Sequence, residues 1–322
     1  MVDGGNPNEE PVMTSTIIVG FDGRNHASDA LALGRLLART TRSRLVVACA
    51  YPEDPLGESG AAADIGRSVR EDAEAVLEKA RAEVAAVGED PAAPPLEIEY
   101  HAVAGAAPSR VLHELAEERT AAAIVVGATH HGAAVRLLTG STPERVLDGS
   151  PCPVAVAPEG YADAHARSTP LAGPDAPLQI AVAFDDSPEA AHALAAAADF
   201  ARLAGGRLRV VTAVNGAVGL YPPLDPGAYA EIADLARTSA RERLEAAVAQ
   251  LDGVTVDAAV VDGDPANVLL EDSEHDDLLF TGSGGKGPFR RVLMGSVSTT
   301  LLREAACPVV IVPRGSGEGA QS

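Results

Sequence analysis

The chain has 322 residues, with 46 Asp and Glu against 25 Lys and Arg, a formal net charge of −21 and a sequence pI near 4.7. That length suits about two domains of ~150 residues each, and a composition that is 46% hydrophobic and 22% charged excludes wholesale disorder. So acidic a surface repels phosphate backbones and anionic lipid, which argues against nucleic acid or a membrane as partner.

Residues 1–15 (MVDGGNPNEEPVMTS) carry acids and prolines where a signal peptide has a basic and then an apolar stretch. They read as a flexible tail, and no run of ~18 apolar residues follows. The expected address is the cytoplasm. With ten Phe and Tyr and no Trp, the core must be built from Val, Leu, Ile and Ala. Strand-like runs come at 17–21, 45–50, 96–103, 124–127 and 154–157, separated by helical stretches. In the stretch after the second run, Val69, Ala73, Val76, Leu77, Ala80, Val84 and Val87 recur three or four apart, the period of an amphipathic helix. A Pro/Gly-rich loop, 52–66, precedes it and is a candidate lid.

Residues 161–177 (YADAHARSTPLAGPDAP) read as an interdomain linker. Beyond them the pattern repeats. QIAVAFDD from Gln179 matches TIIVGFDG from Thr16 at an offset of 163, and GSVSTTLLREAACPVVIVP from Gly295 matches GSTPERVLDGSPCPVAVAP from Gly140 at an offset of 155. Strand-like runs fall at 180–184, 208–214, 254–261, 278–281 and 309–312, and a second candidate lid spans 215–227. The expected organisation is a tail over 1–15, domains over 16–160 and 178–314, the linker between them, and a tail over 315–322. Alternating strands and helices argue for a mainly parallel sheet covered on both faces.

The chemistry concentrates after the fourth run of the second copy, where Gly282, Gly285, Gly295 and Ser296 are spaced G-x2-G-x9-G-S. Loops beyond strand C-termini form the ligand crevice of an open α/β sheet, and glycines there allow backbone N–H groups close to an anion. The helix start after Gly295 favours a phosphate by ~0.3–1 kcal/mol through its dipole. Lys286, Arg290 and Arg291 add positive charge. GSGGKG at 282–287 is not the GxxxxGK[ST] of a catalytic phosphate loop, so binding is better supported than rapid hydrolysis. No catalytic residue and no protein metal ligand is assigned. The pair His130 and His131 reads as a loop surface or as facing a phosphate without catalysis, and Asp276 and Asp277, at the end of the sheet opposite the crevice, as loop or helix-end residues. Cys49, Cys152 and Cys307, without a CxxC pair, read as reduced, and the matched Cys152 and Cys307 as small core residues.

These residues together resemble the universal stress protein family in its tandem form. The likeness rests on the G-x2-G-x9-G-[ST] spacing, the Asp after strand one (Asp22 and Asp185) and the Cys-Pro-Val start of strand five, and it covers nearly the whole chain. It implies two Rossmann-like domains of the adenine nucleotide alpha hydrolase type, each a five-stranded parallel sheet of order 3-2-1-4-5. It also implies ATP, with Mg2+, bound by copies that keep the motif, and a regulatory rather than enzymatic role. Carried over, the second copy offers Asp185, Ala213, Gly263, Gly282, Gly285, Gly295, Ser296 and Val297. The first offers Asp22, Gly127, Gly140 and Ser141, but has His130 where Gly285 stands, Pro143 for Ser298 and Arg24 for Ser187, so tighter ATP binding is expected in the second copy. The resemblance further implies an internal pseudo-dimer through the fifth strands, a possible homodimer of whole chains and a protein partner. A scaffold indifferent to nucleotide is the competing reading, and a slow ATP-hydrolysing or autophosphorylating enzyme a third.

Overall fold

The computed structural model describes residues 15–53, 61–88, 94–128, 142–167, 177–215, 226–284 and 295–313. The N-terminal half runs β1 (Thr16–Gly20), α1 (Asn25–Thr41), β2 (Arg44–Pro52), α2 (Ala61–Val87), β3 (Ile98–Gly105), α3 (Pro108–Glu118), β4 (Ala121–Gly127), α4 (Thr142–Leu147) and β5 (Val154–Ala157). A short α5 (Tyr161–Arg167) follows. The C-terminal half repeats the plan as β6 (Gln179–Ala183), α6 (Pro188–Ala204), β7 (Arg207–Val214), α7 (Pro226–Val248), β8 (Thr255–Asp262), α8 (Pro265–Ser273), β9 (Leu278–Gly282), α9 (Ser296–Glu304) and β10 (Val309–Val312).

All ten strands join one sheet of order β3-β2-β1-β4-β5-β10-β9-β6-β7-β8. Pairing is parallel within each half. The halves meet where β5 and β10 pair antiparallel, with Val309 opposite Val156 and Ile311 opposite Val154. The inner strands are buried on both faces, so they read as unbroken apolar runs such as VAVA and VVIV. Side chains alternate between two cores. One, under α1, α2, α6 and α7, holds Val19, Leu33, Leu45, Ile180, Leu208 and Leu244; the other, under α3, α4, α8 and α9, holds Ile18, Ile124, Leu147, Leu279 and Leu301. Both cores draw residues from both halves. Cys49, Cys152 and Cys307 are buried and free, and burial pushes the Cys152 thiol up to about 11 and, with the nearby Asp276 charge, the Cys307 thiol to about 12. Neither is a nucleophile at neutral pH. Among the described residues no helix is long and apolar enough to cross a membrane, and no group of His, Cys, Asp and Glu could hold a metal ion.

Two local expectations are corrected. The stretch read as a linker starts with α5, because Asp29 on α1, 4% exposed, accepts the N–H groups of Gly160 at 3.1 Å and Ala162 at 2.8 Å and so caps the helix from outside. The buried Tyr161 joins the core on the same side. The candidate lid of 52–66 is shorter than expected, since α2 already begins at Ala61. Of the second lid, 216–225 lies outside the described residues.

Candidate nucleotide site

Each half folds the end of its first strand in the same way. After β6 the chain passes through Asp186 in a left-handed conformation (φ 64°), and after β1 through Gly23 (φ 75°). Asp185 Oδ1 accepts the Ser187 N–H at 3.1 Å, and Asp22 Oδ1 accepts the Arg24 N–H at 3.1 Å, an Asx turn in both cases. The turn leaves each aspartate exposed at the strand's C-terminal end.

What surrounds the two carboxylates differs. In the C-terminal half, Ser187 caps α6 by accepting the Ala190 N–H at 3.1 Å. In the N-terminal half Arg24 cannot cap α1. Its guanidinium turns instead to Asp22 Oδ2 at 3.0 Å, and His26 Nε2 reaches the same oxygen at 3.2 Å. Its partial burial beneath Arg24 and His26 pushes the Asp22 carboxyl up, but hydrogen bonds from His26 and the Arg24 backbone and their charges overcome it and hold it below the usual range. Asp22 is therefore already engaged, whereas Asp185 makes no ion pair among the described residues. Arg24 was visible in the sequence as a departure; its partner and the part played by His26 were not.

The glycines that end the fourth strands have a packing role. A Cβ on Gly282 would lie 2.7 Å from the Glu189 carbonyl carbon and 2.8 Å from its Cβ and oxygen, and one on Gly127 would lie 1.8 Å from the His26 carbonyl oxygen. Each lets the first turn of α6 or α1 sit directly on the strand. Gly284 and Gly295 pack main chain to main chain: a Cβ on Gly284 would meet Gly295 N at 2.9 Å and Cα at 2.8 Å. They bring together the two ends of the chain on either side of residues 285–294, which lie outside the described residues and include Gly285, Lys286, Arg290 and Arg291. Gly284 was not singled out from the sequence, although its place in the SGG run was a signal.

From this contact α9 starts without a side-chain cap on Gly295. Ser296 is exposed and Val297 half-buried, and the first-turn N–H groups have no acceptor within the helix. Ser298, 3% exposed, donates to the Gly282 carbonyl oxygen at 3.2 Å and ties the helix start to the end of β9. In the first half α4 has only six residues and Pro143 stands for Ser298, so that tie is missing. Gly140, Ser141, His130 and His131 lie outside the described residues. Gly263 takes φ 151° and gives its N–H to Val214 at 3.1 Å, closing the ends of β7 and β8 around the half-buried Ala213. The structure thus brings Asp185, Ala213, Gly263, Gly282, Gly295, Ser296 and Val297 to the C-terminal ends of β6 to β9. Bare main chain at a helix start suits an anionic group.

The model of the universal stress protein family matches residues 13–158 and again 178–313. The chain belongs to the universal stress protein family. A universal stress protein of Mycobacterium tuberculosis is 29% identical over 224 residues, 68% of this chain and 73% of that one. Another from the same organism is 33% identical over 189 residues, 58% of this chain and 60% of its own length. Among solved structures, a universal stress protein from Archaeoglobus fulgidus superposes with a TM-score of 0.62 at 21% identity, over 93% of this chain and 98% of that one. One from Pseudomonas aeruginosa reaches 0.53 at 16% identity, over 94% of each chain. At these identities the structures establish the fold, and the family matches place a universal stress protein unit in each half.

Proposed function

We propose that the chain is a regulatory nucleotide-binding protein that takes ATP in the crevice of its C-terminal half and does not turn it over as an enzyme. The observation that carries this reading is the uncapped start of α9, held at the end of β9 by the Gly284–Gly295 contact and the Ser298 hydrogen bond. The residues fit a triphosphate: N–H groups of Ser296 and Val297 would face its oxygens, and the Ser296 hydroxyl would add a donor. Asp185, Ala213 and Gly263 line the side where a nucleoside would lie. ATP supplies the negative charge that this main-chain cradle attracts, and Mg2+ would travel with the phosphates rather than on a protein ligand. Gly282 shapes the floor.

The N-terminal half is better suited to a nucleotide-independent structural role, since Asp22 is held by Arg24 and His26 and α4 is short. Its Gly127 serves helix packing, and Gly140 and Ser141 remain binding candidates on sequence grounds alone. The antiparallel β5–β10 junction supports reading the molecule as an internal pseudo-dimer, with a protein partner, or a second chain, sensing nucleotide occupancy in the cytoplasm.

Calorimetric titration of the full chain with ATP and Mg2+ tests the reading. One strong site is expected, weakened about tenfold by Asp185→Ala and by Gly285→His. Absence of binding, or two equal sites, refutes it.

A further inference from the structure

The repeat supplies an internal control for the residues beneath the crevice. Four hydroxyls lie under the strand ends of the C-terminal half, on Thr212, Thr281, Ser283 and Ser298, none of them more than 8% exposed. Register finds their counterparts. Phe184 and Phe21 give their N–H groups to Val211 and Ala48, so Thr212 matches Cys49. Ser283 and Ala128 give theirs to Val312 and Ala157, so Ser283 matches Ala128 and Thr281 matches Val126. At the offset of 155, Ser298 matches Pro143. The N-terminal half thus builds the same strand ends from Cys, Val, Ala and Pro, all buried. A buried hydroxyl is costly unless it is hydrogen-bonded, and a half that folds without any of the four shows that the fold itself does not call for them.

Three of these hydroxyls end on main-chain carbonyls of the crevice. Thr212 Oγ1 donates at 2.9 Å to the carbonyl of Phe184, the residue before Asp185. Ser298 Oγ at 3.2 Å and Thr281 Oγ1 at 3.4 Å both donate to the Gly282 carbonyl. Ser283 secures the same peptide from its other end, giving its N–H to Val312 at 2.9 Å. The Gly282–Ser283 peptide is therefore held at both oxygen and nitrogen, one residue before Gly284 meets Gly295.

The electrostatic consequence concerns an anion. A carbonyl oxygen free to turn into the crevice would repel phosphate, whereas one engaged by a hydroxyl is fixed in direction and leaves the first-turn N–H groups of α9 as the dipoles an anion meets. In the N-terminal half Val126 and Pro143 offer no donor, and Cys49 only a weak one.

Resting on the nucleotide reading above, we propose that Thr212, Thr281 and Ser298 are positioning residues that preset the main chain of the C-terminal crevice. Thr281 and Ser298 hold the Gly282 carbonyl for the sake of the phosphate tail, and Thr212 holds the Phe184 carbonyl and so sets Asp185 on the nucleoside side. All three act through the backbone rather than on the ligand.

The ratio of ATP to AMP affinity reads the phosphate tail apart from the nucleoside. Calorimetric titrations of the full chain with each nucleotide, Mg2+ present, compare the parent with four variants. ATP binding is expected to weaken about three- to tenfold in Ser298→Ala and about two- to fivefold in Thr281→Val, whose bond is longer, with AMP affected less, so that the ratio falls. Thr212→Val is expected to weaken both nucleotides alike and leave the ratio unchanged. Thr281→Ser, which keeps the hydroxyl, retains the parental ratio. Melting without nucleotide is followed for every variant, since a purely structural loss shifts the melt and not the ratio. Should Ser298→Ala not fold, Thr281→Val, which carries the other half's own residue, decides alone. A parent chain that binds no ATP overturns this proposal together with the nucleotide reading. A parent that binds ATP, with a ratio unchanged in Thr281→Val and Ser298→Ala or lowered as much by Thr281→Ser or Thr212→Val, overturns the positioning role alone.

Discussion

Replacing Gly282 by Ala separates packing from ligand contact at the motif's first glycine. The added methyl carbon would sit 2.7–2.8 Å from three Glu189 atoms, two of them main chain, against a comfortable carbon separation of ~3.5–4.0 Å. Main-chain atoms cannot swing aside, so α6 must move off β9 by the better part of an ångström. Overpacking of that kind costs typically 1–3 kcal/mol. For a unit of this size each kcal/mol lowers the melting temperature by about 2–4 °C, so a fall of about 2–12 °C is expected in calorimetry, with a matching shift of the urea midpoint. The same loss should appear without nucleotide. ATP affinity, measured well below the melting temperature, should change less than it does in Asp185→Ala. Unchanged stability in Gly282→Ala, or a large affinity loss without a stability loss, would refute the packing role and return this glycine to the phosphates.

Asp29→Ala should lower stability by about 2–3 kcal/mol, because it strips two hydrogen bonds to a carboxylate from the start of α5; limited proteolysis near 161–167 should accelerate in step, and unchanged cleavage would count against the cap. Asp276 offers a pH test. Burial and repulsion from Asp272 and Asp277 outweigh Arg209 and His275 and push its carboxyl up to about 6. A carboxyl raised above its unfolded value favours folding below ~4 and loses that contribution as pH climbs through 6. Asp276→Asn should therefore match the parent near pH 4 and exceed it by about 1–2 kcal/mol at pH 7, a figure reduced for solvent screening. Urea titrations at the two pH values measure the difference, and a gap independent of pH would contradict the assignment.

The strands were legible because the inner ones are apolar on both faces, and the residue offsets exposed the repeat without any structure. Helix α5 was not, since YADAHAR has no strong signal of its own and its cap, Asp29, lies some 130 residues earlier in the chain. Glycine spacing located the crevice but not the division of roles within it. Nothing in a one-dimensional motif says that Gly282 faces a helix turn while Gly284 faces Gly295. Asp276 and Asp277 do lie in the turn between α8 and β9, where Asp276 also lines a cavity and Asp277 accepts the Gln179 N–H at 2.8 Å.

A sheet continued across β5 and β10 within one polypeptide escapes a constraint that binds any pair of identical chains. There, each substitution is made twice, and an alteration useful on one side must be tolerated on the other. Fusion lifts that coupling: Arg209 stands on β7 where β2 has Val46, and Arg24 follows β1 where Ser187 follows β6. Division of labour between twin lobes is what a covalent join makes evolvable.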